Sequence, residues 1–267
     1  MAPAPAPMRR GPGRSDGGGM TRHTDTITGT TADAPTTTGT APRPTDTSSA
    51  LARTGGIAAQ VVAGTYVLGF IAMAAYFVPR GLVSPIAEPE ASLAFLVEHH
   101  AALAGWYLVL YLLGGAAMVL VSLGVGARLS PAPALARVST ALGLVWSGML
   151  VASGSVALVA QQAAVELQAH DTALALDTWV ATSVVQDALG GGIEVAGALW
   201  AGVVGYAVLR TRALPAGLGG LALGLAVVGA VTVVPAASEI ATSVFGLGFI
   251  VWFTWLGLAL LRPRLRA

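Results

Sequence analysis

The sequence predicts an all-α polytopic membrane protein, a bundle of six transmembrane helices behind a disordered N-terminal tail. Three observations carry this expectation. First, 55% of the residues are hydrophobic and only 10% are charged, which is remote from the balance of a water-soluble domain. Second, residues 54–79, 101–127, 138–165, 213–238 and 240–261 contain no charged side chain. Each run exceeds the roughly 20 residues that cross about 30 Å of hydrocarbon as a helix, and 178–209 is a sixth run of sufficient length. The runs are apolar all the way round, whereas a soluble amphipathic helix keeps a polar face. Third, the charges are sorted: all 14 basic residues are arginine, and beyond the tail they fall in alternate gaps between the runs.

Residues 1–53 are rich in proline, threonine, glycine and alanine. Such a stretch cannot bury enough apolar surface to offset its chain entropy and is expected to be a disordered tail. Arg9 and Arg10 are followed by Gly11 and Pro12 rather than by an apolar segment, so no cleavable signal is expected. The transmembrane domain then occupies 54–264.

Arg53 precedes span one, expected over 57–79. The next gap holds Glu88, Glu90 and Glu98, with Arg80 as its one basic side chain. Residues 91–100 there read as a helix entered through Pro89, best taken as an outward extension of span two, itself expected over 101–125. Arg128 and Arg137, with Pro131 and Pro133, mark a tight turn into span three, over 139–163. Glu166, Asp171 and Asp177 precede span four, over 181–209. Arg210, Arg212 and Pro215 turn the chain into span five, over 215–234. Glu239 precedes span six, over 243–261, and Arg262, Arg264 and Arg266 follow it. Arginine-bearing loops stay cytoplasmic, so both termini are expected inside a multi-pass protein of the plasma membrane. Arginine without lysine, amid abundant alanine and glycine, suggests a GC-rich bacterial genome.

Span four alone carries acids. On a straight helix Asp187 and Glu194 point within about 20° of each other, roughly 10 Å apart along the axis, with Gly190 and Gly191 between them and Gln186 adjoining. A carboxyl near the bilayer centre costs about 2.5–3.5 kcal/mol on insertion scales and normally faces the bundle interior or a wet cavity. Asp187, Glu194, Gln186, Gly190 and Gly191 are therefore the expected intramembrane polar site. Two readings of it stand side by side. The carboxyls contact a proton, cation or polar solute, with the glycines allowing a bend, or they are structural locks bonded to hydroxyls such as Tyr66, Tyr107, Tyr111, Ser147, Ser153 or Ser155.

His99, His100 and His170 share the acidic side, but adjacent histidines splay by about 100° on a helix, so they are weak metal candidates and no metal is expected. There is no cysteine, no assembled nucleophile and base, and no phosphate-cradling loop. No catalytic residue and no cofactor is expected, and the sequence leans away from an enzyme. The partners implied are the lipid bilayer and a small solute or cation, not nucleic acid, with self-association through small-residue pairs such as Gly220 and Gly224 left open.

The segments ASLAFLVEHHAALAGW, 91–106, and GLGFIVWFTWLGLALLR, 246–262, carry a resemblance over about 55–264. The chain resembles six-span bacterial integral membrane proteins that are uncharacterised and grouped as a domain of unknown function. The resemblance implies the fold and a membrane location, and assigns no residue a role. The leading expectation is a small transporter-like or ligand-sensing membrane protein. The alternatives are a structural or regulatory protein without a transported substrate and, third, an intramembrane enzyme.

Overall fold

The computed structural model describes residues 44–191 and 193–262. The tail to residue 43, Gly192, and residues 263–267, with Arg264 and Arg266, lie outside them. Among the described residues all regular structure is helical, in six successive segments. Helix α1 starts at Pro44, inside the stretch expected as tail, runs to Ala72 and continues through a π turn, Met73–Phe77, and a 3-10 turn, Val78–Arg80. Gly81 ends it at φ 89°, a left-handed cap that suits glycine.

Helix α2 is Pro89–Arg128, so the 91–100 segment extends span two, with a kink at His99 and a π turn at Leu108–Leu113. Helix α3 is Pro133–Gln168 and α4 is Thr172–Thr211. The fourth is broken into α4a, Thr172–Gln186, and α4b, Val195–Thr211. Helices α5, Ala216–Val231, and α6, Ser238–Leu261, complete the bundle.

Each helix packs on its neighbours in sequence, and α6 closes the ring on α1. Neighbours therefore alternate in direction, which gathers Arg53, Arg128, Arg137, Arg210, Arg212 and Arg262 at one end and leaves Arg80 with the acids of the connections at the other. Small residues let the backbones approach: a side chain at Gly55 would strike Gly124 at 2.7 Å, and one at Gly205 would strike the Gly219 carbonyl at 2.8 Å. At Gly220 and Gly224, by contrast, an added Cβ would meet nothing within 4 Å. At the basic end Arg128, buried, donates from Nη2 to the carbonyls of Leu260 at 2.6 Å and Arg262 at 3.2 Å. Leu260 is in the last turn of α6 and Arg262 is the residue that caps it, where carbonyls have no partner within the helix.

The outer faces are apolar. Val159, Val227 and Ile240 are 71%, 66% and 73% exposed, which in water would be a large uncovered patch and in lipid is the expected surface. This is a helical membrane protein. At 1.5 Å per residue α3 is about 54 Å long and α5 about 24 Å, against about 30 Å of hydrocarbon. Helices α2, α3 and α4 are thus longer than the hydrocarbon is thick, while α5, with 16 residues, is shorter than the roughly 20 expected of a span.

Two cores result. In the half toward the basic end Trp146, Trp200, Trp252, Phe245, Phe249 and Phe253 fill the ring, all at most 2% exposed, with Trp146 and Trp252 each within 5.5 Å of Trp200. The acidic end has its own core of Phe77, Leu93, Leu96 and Trp179. Trp179 donates its indole N–H to the Ser92 hydroxyl at 3.0 Å. Arg80, the one basic side chain of its gap, donates to the Tyr76 carbonyl and lies 3.9 Å over the Tyr76 ring.

Candidate functional site

The break in α4 positions the site. After Gln186 the helix widens into a π turn, Asp187–Gly191, and Gly190 takes φ 126°, which side chains rarely tolerate. Helix α4b restarts after Glu194, whose φ of −108° and ψ of 31° are non-helical. The straight-helix geometry that put Asp187 and Glu194 on one face is therefore replaced: seven residues no longer make two turns when the middle ones unwind. Gly190 supplies the break itself rather than a position on a continuous face, and Gly191 closes the π turn.

From α5, Thr232 fixes the restart. Its hydroxyl accepts from the Glu194 backbone N–H at 2.9 Å and donates to the Gly229 carbonyl at 2.7 Å. A free N–H at the head of a helix needs such a partner, and the contact ties the Glu194 backbone to the end of α5.

The two carboxyls line different cavities. Asp187 lies on the wall of a cavity of about 330 Å³ roofed by the α1–α2 connection, with Tyr107, Thr182, Ser183 and Gln186 also on its walls. Glu194 lies on the wall of a second cavity of about 250 Å³ inside the ring, to which every helix but α5 contributes, with Tyr66, Trp106, Tyr111 and Leu150. Met73 and Trp106 line both and so stand between them. Beneath Glu194 the ring is shut: a side chain at Gly197 would strike Trp146 and Phe245 at 2.8 Å. The Glu194 cavity therefore lies on the acidic side of the aromatic core.

Among the described residues neither the Asp187 nor the Glu194 carboxylate has a hydrogen bond or an ion pair, and no arginine or histidine lines either cavity. Of the hydroxyls proposed as their locks, the three serines donate elsewhere, while Tyr66 and Tyr111 line the Glu194 cavity and Tyr107 the Asp187 cavity. Gln186, buried, donates from Nε2 to Ser153 Oγ at 3.1 Å and to the Tyr111 hydroxyl at 3.4 Å, while Ser153 donates to the Gln186 carbonyl at 3.0 Å. Ser147 donates to the Gly115 carbonyl and Ser155 to Val151 within its own helix. Gln186 thus pins α4a to α2 and α3 just before the break, and the carboxylates are left to the cavities.

The histidines do not assemble. His99 packs on the rings of Phe95, at 4.5 Å, and Tyr76, at 5.8 Å, and among the described residues no three histidine, aspartate or glutamate side chains converge as a metal would need. Sequence reasoning missed Thr232, Phe70 and the wall role of Trp106. The i, i+4 spacing of Tyr66 with Phe70 and of Tyr107 with Tyr111 was a legible sign that one helix face is aromatic.

No family model, curated protein or solved structure matches this chain.

Proposed function

We propose that this is a plasma-membrane protein, transporter-like or ligand-sensing, that takes a proton, cation or small polar solute from the extracytoplasmic side at the break in α4, with Asp187 and Glu194 as the contact groups. Arginines gathered at one end support that end, and both termini, as cytoplasmic. The observation that supports the reading is that a glutamate within the bundle lies on the wall of a cavity lined by hydroxyls and rings, with no arginine or histidine among the described residues of that wall. Intramembrane carboxyls kept only for structure are normally bonded, and here Gln186 does the bonding. A helix interrupted inside the bundle, its second half opening at Glu194, is the arrangement by which membrane proteins expose backbone and side-chain polarity to a solute. The resemblance to six-span bacterial membrane proteins belongs to the same proposal.

The absence of cysteine provides the test. Asp187→Cys and Leu150→Cys, one on each cavity wall, should react with a small membrane-impermeant thiol reagent added outside intact cells, while Val204→Cys, in the sealed core, should not. Equal silence at Leu150 and Val204 would make the Glu194 cavity dry and end the reading. Proton- or cation-linked flux in vesicles, lost in Asp187→Asn or Glu194→Gln, would distinguish transport from sensing.

A further inference from the structure

We propose that the Glu194 cavity is a site for a small alkylated ammonium ion, an inference that rests on the reading of that cavity as solute-accessible and names the class of solute. Its walls combine one carboxylate with four aromatic side chains, Tyr66 and Phe70 from α1 and Trp106 and Tyr111 from α2. Aromatic faces attract cations through the ring quadrupole, most strongly where water is excluded, and are the usual means of recognising quaternary ammonium groups. With no basic side chain on the wall, nothing there would hold an anion.

The competing cations fit less well. Calcium or magnesium needs about six to eight oxygens at close range, whereas here a single carboxylate and a few hydroxyls are interleaved with Phe70, Met73, Leu110 and Leu150. A proton alone needs neither a cavity of about 250 Å³ nor aromatic walls. An ion the size of choline needs both: the carboxylate takes the charge, and rings and aliphatic walls cover the methyl groups.

Two of the four rings, Trp106 and Tyr111, are also held in place before any ligand arrives. Trp106 donates its indole N–H to the Gly69 carbonyl at 3.2 Å. Tyr111 accepts from Gln186 and is stacked on Tyr107 at 5.3 Å and 27°. Fixed walls lower the ordering cost of binding.

The test is titration calorimetry on the full-length chain in lipid nanodiscs with tetramethylammonium, choline, potassium and dimethylbutanol, the uncharged carbon isostere of choline. Both ammonium ions should bind about tenfold or more tightly than potassium or the isostere. Glu194→Gln and Trp106→Leu should each weaken them by about tenfold or more, whereas Gly220→Ala, on α5, which lines no part of that cavity, should stay within about threefold. Protection of Leu150→Cys from a thiol reagent by tetramethylammonium, and not by potassium, is a second readout that leaves the aromatic wall and Glu194 intact. If Leu150→Cys is labelled but the ammonium ions bind no better than the isostere, the ammonium class is overturned and the accessible cavity stands. If Leu150→Cys is unreactive, both fall.

Discussion

Gly190→Ala isolates the break in α4. At φ 126° a β-carbon is conformationally unfavourable, and residues held in such regions cost of the order of 1–3 kcal/mol each. Space is not the obstacle, because the nearest atom to an added Cβ is Leu150 Cδ2 at 3.9 Å, ordinary van der Waals contact. The whole effect is therefore backbone strain. The matched control is Gly220→Ala, in the middle of α5 with nothing near its Cβ, where alanine gains about 0.5–1 kcal/mol as a better helix former. The two alanines should differ in unfolding free energy by about 1.5–4 kcal/mol, with opposite signs relative to the parent. Reversible unfolding in mixed micelles, followed by circular dichroism, reads this difference. Equal stability of the two variants would mean that residue 190 has ordinary helical dihedrals, and the geometry that separates Asp187 from Glu194 would be withdrawn.

Two further predictions use the same preparation or intact cells. Arg128→Met removes the cation that caps the last turn of α6 through the Leu260 and Arg262 carbonyls; it should cost about 1.5–3 kcal/mol in the micelle unfolding assay, and a cost below about 0.5 kcal/mol would deny the cap an energetic role. For orientation, Ala169→Cys, exposed between α3 and α4, should be labelled from outside by an impermeant reagent, and Ala132→Cys, between α2 and α3, only after permeabilisation; the reverse pattern would invert the topology.

The bundle was legible because the bilayer asks for little: length, absence of charge and a bias in arginine placement are all properties of single segments. The outward extension of span two was legible for the same reason, since Pro89 and Glu90 start a helix by local chemistry. The site was legible only in part. Asp187, Glu194, Gln186 and the glycines stand out in an apolar chain, but their geometry depended on whether span four stays regular. Glycines permit a break without requiring one; what stabilises this one is Thr232, which lies 38 residues away from Glu194 and whose sequence surroundings are ordinary. Arg80 shows the same limit. In sequence it stands alone among the acids of its gap, while the helix delivered the Tyr76 ring four residues back, on its own face.

The placement of aromatic side chains constrains how such a protein could work. Tryptophan and phenylalanine pack the ring solid from Phe245 to Phe253, and Gly197 and Gly229, where an added Cβ would sit within 3 Å of the Phe245 ring, leave it no slack. Passage toward the basic end would require those rings to move together, because a close-packed interior has few discrete arrangements rather than a continuum. The acidic side is built differently, with the cavities of Asp187 and Glu194, π turns in α1, α2 and α4 at its level, and a helix already interrupted. A solute that reaches Glu194 from outside thus meets preformed space first and dense packing second. Sensing requires only the first of these, and transport requires that occupancy of the first be coupled to rearrangement of the second. Flux that survives in a variant unable to bind at Glu194 would contradict that order.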